Sequence, residues 1–275
     1  MQSEETKPIS RVLIVAGSDS GGAAGIQADI KTVTALGGFA MTAITAVTAQ
    51  NTLGVHGIWP MPVDAVTAQM RAVLSDLGAD IVKTGMLGGG PMIEAIAEAL
   101  SDMAGSTPRV IDPVMVASSG DVLVEARAIE AMKAELFPGA ALVTPNAPEA
   151  ELLTGKAVED INGQRRAAEA LLEQGAKGAL VKGGHVAGQV LSDVLQTEYG
   201  EWIFESERID TKATHGTGCT LASASAVLFA QSGDLARSVE RGRDYLRAAI
   251  EHAPVLGAGH GPVAHGWPLV QAGKD

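Results

Sequence analysis

The feature that most constrains the fold is an alternation of short apolar runs with longer segments of helical periodicity. Residues 12–16 and 81–84 are typical of strands buried on both faces of a sheet. Residues 62–77 carry apolar side chains at helical spacing, and glycine or proline ends most segments. Continued over most of 275 residues, this alternation predicts an α/β fold with a doubly wound, mainly parallel sheet.

The composition limits the class and location of the protein. Since no linker or repeat interrupts the alternation, we expect one domain over residues 1–275, with residues 1–10 as a flexible N-terminus. A net charge of −12 disfavours binding to nucleic acid or to an anionic membrane. The single cysteine excludes an internal disulfide, and no apolar run approaches the roughly 20 residues of a membrane span. The polar start of the chain is unlike a signal peptide, so we expect a cytoplasmic protein.

Glycines and polar residues follow directly after six of the predicted strands. In open α/β sheets, ligands bind outside the carboxyl ends of the strands. We therefore expect a single binding rim, built from residues 17–19, 50–51, 83–86, 112–115, 146–149, 182–185 and 216–219.

Two glycines, Gly216 and Gly218, precede a long run of small and apolar residues. A glycine loop that opens a helix aims unpaired backbone N–H groups and the positive end of the helix dipole at one point, which favours an anion. Cys219, the only cysteine of the chain, falls at this point. A lone cysteine is more often a small buried hydrophobic residue than a reactive group, so the pattern by itself leaves both roles open.

A second glycine-rich loop, at residues 17–25, lies between a predicted strand and a predicted helix. Its glycines are out of register for the G-x-G-x-x-G pattern, and the carboxylate of Asp19 would repel a pyrophosphate. This disfavours a nicotinamide dehydrogenase. We expect instead a loop that hydrogen-bonds a neutral polar substrate, with Asp19 as one partner.

Motifs along essentially the whole chain carry a family resemblance. They lie at residues 16–22, 25–29, 48–52, 83–87, 112–115, 144–149, 182–185, 214–220 and 259–262. Together they resemble the hydroxymethylpyrimidine/phosphomethylpyrimidine kinases of thiamine biosynthesis, members of the ribokinase-like superfamily. The resemblance implies a three-layer α/β/α sandwich. It also implies that ATP, with Mg²⁺, phosphorylates 4-amino-5-hydroxymethyl-2-methylpyrimidine and then its monophosphate.

The resemblance assigns catalysis to Cys219, Lys182, Gly216 and Gly218. Backbone N–H groups of the loop would hold the migrating phosphoryl group, and Lys182 would bridge phosphates. Cys219 is the expected base, because a helix N-terminus lowers the pKa of a thiol. The expected ATP-binding residues are Asn146, Lys182, Thr214, Gly216, Thr217 and Gly218.

Metal and acceptor sites follow from side-chain chemistry and from the resemblance. Asp112 and Glu149 offer hard oxygen ligands at neighbouring strand ends, so we expect them to hold Mg²⁺. Asn146 can serve the phosphates, cap a helix, or do both. The amide of Gln50 can pair with a ring nitrogen and an exocyclic amine together. The resemblance places Gln50 on the substrate, in a pocket shaped by Gly17, Ala24, Met86 and Val114, the last two being residue types more often found in a core.

Some features leave alternatives open. Ser118 and Ala258 stand where the family commonly has lysine. The nearest alternative is a pyridoxal or pyridoxine kinase, which shares the fold and a hydroxymethyl acceptor, although Gln50 favours the pyrimidine. A non-catalytic nucleotide- or vitamin-binding protein is disfavoured by the intact loop at residues 216–219 together with Lys182. The oligomeric state stays open, with a homodimer among the alternatives.

Overall fold

The computed structural model describes residues 9–115, 125–186 and 188–272. The strands are β1 Arg11–Asp19, β2 Phe39–Asn51, β3 Gly54–Pro60, β4 Ile81–Thr84, β5 Arg109–Ile111, β6 Leu142–Val143, β7 Gly178–Val181, β8 Val190–Thr197 and β9 Gly200–Glu207. The helices are α1 Gly25–Ala35, α2 Val63–Asp76, α3 Gly90–Ala104, α4 Ala126–Ala131, α5 Ala147–Thr154, α6 Ile161–Glu173, α7 Thr217–Ser232, α8 Leu235–Glu251 and α9 Trp267–Ala272. A π-helical turn, Met132–Leu136, continues α4.

Within the described residues the strands form one sheet in the order β3-β2-β1-β4-β5-β6-β7-β8-β9. The six strands from β2 to β7 in this order are parallel, while β3, β8 and β9 pair antiparallel at the two sides. The chain winds from β1 towards β3 on one side and from β4 towards β9 on the other. This confirms the predicted α/β fold and puts a topological switch point between β1 and β4, where such sheets bind ligands.

Strand β1 is apolar from Val12 to Ala16 because helices cover both of its faces there. Leu13 and Val15 pack into a core with side chains from α2, α3 and α6. Val12 and Ile14 pack on the opposite face against α1, α7 and α8. The two cores, one on each side of the sheet, confirm the three-layer α/β/α sandwich.

A buried ion pair crosses from the sheet to the second helical layer. The ammonium of Lys83 on β4 is fully buried and donates to both carboxylate oxygens of Asp29 on α1, at 2.9 and 3.0 Å. Asp29 also accepts a 2.7 Å hydrogen bond from Ser223 on α7. Burial disfavours the charge on Lys83, but Asp29 and other acidic neighbours outweigh it and raise the pKa of the lysine. Burial also raises the pKa of Asp29, although Lys83 and Ser223 oppose this effect. The contact between the two side chains joins three elements below the predicted rim.

Two sequence expectations fall outside this description. The predicted flexible N-terminus covers residues 1–10, of which only residues 9 and 10 are described, and Ser118 lies within residues 116–124, outside the described residues. Among the residues that are described, no helix has the length and apolar character needed to cross a membrane.

Candidate active site

The residues singled out from the sequence lie together around one cavity of about 890 Å³ at the carboxyl ends of the parallel strands. The wall includes all of them: Gly17, Asp19, Ala24, Gln50, Met86, Asp112, Val114, Asn146, Glu149, Lys182, Thr214, Gly216, Thr217, Gly218 and Cys219. Met86 lies directly over Gly17, since a β-carbon at Gly17 would be 2.5 Å from the methyl of Met86. The rim predicted from scattered segments is therefore a continuous surface.

One wall of the cavity is the start of α7, which depends on the backbone of Gly216. Gly216 precedes the first helical residue in the left-handed conformation, with φ +82°. A β-carbon at this position would clash with the carbonyl oxygen of Ala23 in the β1–α1 loop. Only glycine satisfies both constraints without strain. The first N–H groups of α7 have no acceptor within the helix, so they are available to an anion in the cavity.

The thiol of Cys219 is half-buried in the first turn of α7. Burial, followed by the negative charges of Asp29 and Asp112, raises its pKa to about 12, against the opposing effects of Lys83 and the backbone N–H of Gly25. The expected lowering of this pKa by the helix N-terminus is therefore wrong, because burial disfavours the charged thiolate.

Lys182 and Asp112 face each other beside the start of α7. The lysine Nζ lies 3.4 Å from Oδ1 of Asp112, which also accepts a 3.1 Å hydrogen bond from Thr144. Oδ2 of Asp112 is buried and has no hydrogen-bond partner among the described residues. A β-carbon at Gly218 would lie 3.3 Å from Nζ and 3.9 Å from that oxygen. Glycine thus keeps an opening between the lysine, the carboxylate and the helix start.

Asn146 and Glu149 form a capping box at the start of α5. Asn146 accepts a hydrogen bond from the backbone N–H of Glu149 at 2.9 Å, and Glu149 accepts one from the N–H of Asn146 at 2.8 Å. The capping alternative for Asn146 is therefore realised. Burial, with a further contribution from Asp112, raises the pKa of Glu149 to about 7, although Lys182 opposes it. Glu149 is thus poised between its two protonation states near neutral pH.

The carboxylate oxygens of the site fit Mg²⁺ better than a cation whose coordination shell must come entirely from protein side chains. No group of three or more histidine, cysteine or acidic side chains is arranged around a metal position within residues 9–115, 125–186 and 188–272. The buried, unpartnered Oδ2 of Asp112 and the nearby Glu149 supply two carboxylates. Mg²⁺ commonly takes one or two carboxylates and completes its shell with water and phosphate oxygens.

The carboxylate of Asp19, which lies in the cavity wall, is held by hydrogen bonds within the protein. It accepts hydrogen bonds from the backbone N–H groups of Gly21, Ala23 and Ala24, at 2.7 to 2.9 Å. His215 Nε2 lies 3.2 Å from the same carboxylate. Because these bonds engage both oxygens inside the protein, Asp19 shapes the β1–α1 loop.

The loop after Lys182 is held by residues that the sequence did not indicate. Asp193 on β8 accepts a 2.7 Å hydrogen bond from the N–H of Gly183 and another of 2.7 Å from Arg243 on α8. Arg208 donates to the carbonyl oxygens of Gly184, Val186 and Gly188. In a single sequence, charged residues on a hairpin or a helix look like ordinary surface residues, so nothing indicates that they hold this loop.

The fold and the site together define a class of protein. A parallel α/β sheet, a glycine-opened helix N-terminus, a strand-end lysine and two carboxylates around one cavity are the parts that phosphoryl transfer from a nucleotide requires. They define a phosphotransferase with an α/β/α fold.

Comparison with known proteins specifies the family. The sequence profile of the family described as phosphomethylpyrimidine kinase matches residues 19–264. The hydroxymethylpyrimidine/phosphomethylpyrimidine kinase of Streptomyces coelicolor is 47% identical, over 94% of this chain and 95% of its own. The thiamine biosynthesis bifunctional protein ThiED of Geobacter sulfurreducens is 49% identical over 94% of this chain and 52% of its own. The chain belongs to the phosphomethylpyrimidine kinase family.

Solved structures show the same architecture. The pyridoxal kinase of Staphylococcus aureus in complex with ADP has a TM-score of 0.88 and 31% identity, covering 94% of each chain. Phosphomethylpyrimidine kinase from Clostridium difficile 630 has a TM-score of 0.78 and 35% identity, covering 88% of this chain and all of the other. The fold is therefore that of ribokinase-like kinases.

The close approach at Gly216 generates a prediction. Replacing Gly216 by Ala should lower kcat by at least about tenfold, since the clash with the carbonyl oxygen of Ala23 must displace the helix start and misdirect its N–H donors. The measurement is steady-state ADP release at saturating substrates. Gly266→Ala is the matched control, because a β-carbon there meets nothing within 4 Å. Equal turnover in the two variants would contradict the role given to this backbone.

Proposed function

We propose that this protein transfers the γ-phosphate of ATP to the hydroxymethyl group of 4-amino-5-hydroxymethyl-2-methylpyrimidine, and then a second phosphate to the resulting monophosphate. The observation that carries the proposal is the single cavity that contains both the amide of Gln50 and the start of α7 with Lys182. The similar kinases of Streptomyces coelicolor and Haemophilus influenzae are named for the same two acceptors. The product would be the pyrimidine diphosphate of thiamine biosynthesis.

The proposed phosphoryl site is the start of α7. Its backbone N–H groups, from Gly216 to Cys219, would stabilise the charge on the oxygens of the group in transfer. Burial disfavours the charge of Lys182, but Asp112 and Glu149 outweigh it and raise the pKa of the lysine, so its ammonium persists. Thr214, Thr217 and Asn146 would complete the ATP side of the cavity.

Asp112 and Glu149 are the proposed Mg²⁺ ligands. The ion would neutralise negative charge on the ATP phosphates. Oδ2 of Asp112 supports this role, because a buried carboxylate oxygen without a partner is costly unless a cation or a donor satisfies it. Glu149 would bind the ion in its ionised form, which its raised pKa makes available above about pH 7.

Cys219 is the proposed proton acceptor for the hydroxymethyl group. Its thiol lies in the cavity wall at the start of α7, where the acceptor oxygen and the phosphoryl group would meet. A pKa of about 12 keeps the thiol protonated at neutral pH. The base role therefore requires that the loaded site lowers this pKa, and otherwise Cys219 contributes only its backbone N–H.

A pyridoxal kinase is the second candidate. The similarity to the solved pyridoxal kinases favours it, and the two acceptors share a hydroxymethyl group on a nitrogen-containing aromatic ring. The curated relatives above 40% identity favour the aminopyrimidine as the principal acceptor.

The test is an ADP-release assay of the purified protein with ATP and Mg²⁺. Separate reactions contain the aminopyrimidine alcohol, its monophosphate or pyridoxal. We expect ADP formation with both pyrimidines, a lower kcat/KM with pyridoxal, and loss of all three activities when EDTA removes the metal. No ADP above the ATP-only background with either pyrimidine would overturn the proposal, and activity with pyridoxal alone would establish the second candidate.

The proposed base gives a separate prediction. We expect Cys219→Ala to lower kcat by about 10²- to 10⁴-fold, the usual contribution of a positioned proton acceptor, while the Kd for the aminopyrimidine stays within about threefold. Calorimetry and ADP release measure the two quantities. Cys219→Ser, which keeps a polar atom of similar size, serves as the matched variant. Near-normal turnover of Cys219→Ala would remove the thiol from proton transfer.

The remaining partners and the location follow from the proposed reaction. ATP and the two pyrimidines are small molecules, and a cytoplasmic location would supply the ATP.

We also propose a homodimer formed along β3, an edge strand that exposes Trp59 and Ile58, since apolar side chains on an open edge favour pairing. Sedimentation velocity at micromolar concentration should detect it, and a purely monomeric species would exclude it.

A further inference from the structure

One buried histidine lies between the loop after β1 and the side chain expected to contact the acceptor. His215 is only 4% exposed, and its Nε2 lies 3.2 Å from Oδ2 of Asp19 and 3.2 Å from the amide nitrogen of Gln50. Neither the proposed phosphoryl transfer nor the metal site uses this histidine.

Asp19 determines where the proton of His215 resides. Burial opposes the charge of Asp19, but the hydrogen bond from His215 and those from three backbone N–H groups outweigh it and lower the pKa of the carboxyl. The carboxylate is therefore ionised and can only accept hydrogen bonds. An unprotonated Nε2 would direct its lone pair at this carboxylate. Nε2 thus carries a hydrogen, whether the imidazole is neutral or charged.

The protonated Nε2 constrains the amide of Gln50. A donor at Nε2 cannot accept a hydrogen bond from the amide nitrogen that faces it at 3.2 Å. At the other end of the amide, Thr48 Oγ1 lies 3.1 Å from the amide oxygen and 3.1 Å from the carbonyl oxygen of Ser18. Its single hydroxyl hydrogen would have to be shared between these two acceptors.

A half-turn of the amide group removes the donor–donor contact at His215 and leaves the hydroxyl of Thr48 with one acceptor. The oxygen and nitrogen of a side-chain amide have nearly the same shape, so the surrounding hydrogen bonds decide between the two orientations. After the half-turn, the single hydrogen on Nε2 of His215 is shared between two acceptors, the carboxylate of Asp19 and the amide oxygen of Gln50. The amide nitrogen donates to Thr48, and the hydroxyl of Thr48 donates to Ser18. Every contact then joins a donor to an acceptor, and one N–H of the amide remains for a ligand.

We propose that His215, oriented by Asp19, is a positioning residue that holds the amide of Gln50 with its nitrogen available to the acceptor substrate. The matching ligand group is a hydrogen-bond acceptor, such as an unprotonated ring nitrogen of a heteroaromatic alcohol. This inference rests on the proposed function, since it specifies how that same cavity selects its acceptor. It links the motif at residues 214–220 to ring recognition as well as to phosphate.

The test compares two ligands by calorimetry in the absence of ATP. One ligand is the aminopyrimidine alcohol, and the other is a benzene analogue that keeps the amine, methyl and hydroxymethyl groups but has C–H in place of both ring nitrogens. In the unaltered protein we expect the pyrimidine to bind about tenfold more tightly, the usual effect of one matched hydrogen bond. In His215→Leu the amide can turn either way, so this ratio should fall to about twofold.

Two further variants separate positioning from general structural damage. His215→Gln can keep an N–H donor near the position of Nε2, so it should restore the ratio of about tenfold. Gln50→Glu has no N–H at either end, so it should bind both ligands with similar affinity. Thermal unfolding checks that each variant is folded, and if His215→Leu is not, the other two variants still decide. A wild-type ratio in His215→Leu or Gln50→Glu, or a ratio near one in the unaltered protein, would overturn the proposal.

A direct measurement requires no variant. In ¹⁵N-labelled protein, long-range imidazole spectra should show a hydrogen on Nε2 of His215 at pH 8, and a bare Nε2 would overturn the proposal. These outcomes are distinct from failure of the proposed function. A protein that shows the expected binding ratio but releases no ADP would overturn the kinase reaction alone.

Discussion

The arrangement of the site depends on the close approach of two backbones, at Gly216 and Ala23. The left-handed conformation of Gly216 and its lack of a side chain allow the start of α7 to pack directly on the β1–α1 loop. This contact puts His215 against Asp19, and the N–H groups of α7 opposite the acceptor side of the cavity. The donor and acceptor halves of the site are therefore joined by a direct backbone contact.

The buried pair of Lys83 and Asp29 supports this contact from below. It joins β4 to α1 and α7, the two helices that follow the glycine loops. Both side chains of the pair are fully buried. Such a pair contributes little net stability compared with apolar packing, but breaking it is costly, by about 3–5 kcal/mol. A constraint of this kind fixes the relative position of the helices. It also adds a positive charge that opposes, without reversing, the raised pKa of Cys219.

Prediction from sequence succeeded where the pattern is local and periodic. Strands β1, β4 and β7 and the helices that follow them have strong signals, because a strand buried on both faces is rich in apolar residues. Weak signals belong to β3, α5 and α9. β3 is an exposed edge strand with two glycines, and α5 and α9 have only eight and six residues, too few for a helical period to emerge.

The sequence alone determined the sheet, its helical layers and the positions of the polar residues at the strand ends, because these follow from hydrophobic periodicity and from the geometry of parallel strands. Only the tertiary structure decided how those residues act on one another. A helix start predicts a lowered thiol pKa, but the burial of Cys219 reverses that result. A carboxylate in a glycine loop predicts a ligand contact, but three backbone N–H groups and His215 engage Asp19 within the protein. Desolvation and hydrogen-bond partners depend on residues far apart in the chain, such as Asp19 and His215, and only folding brings them together.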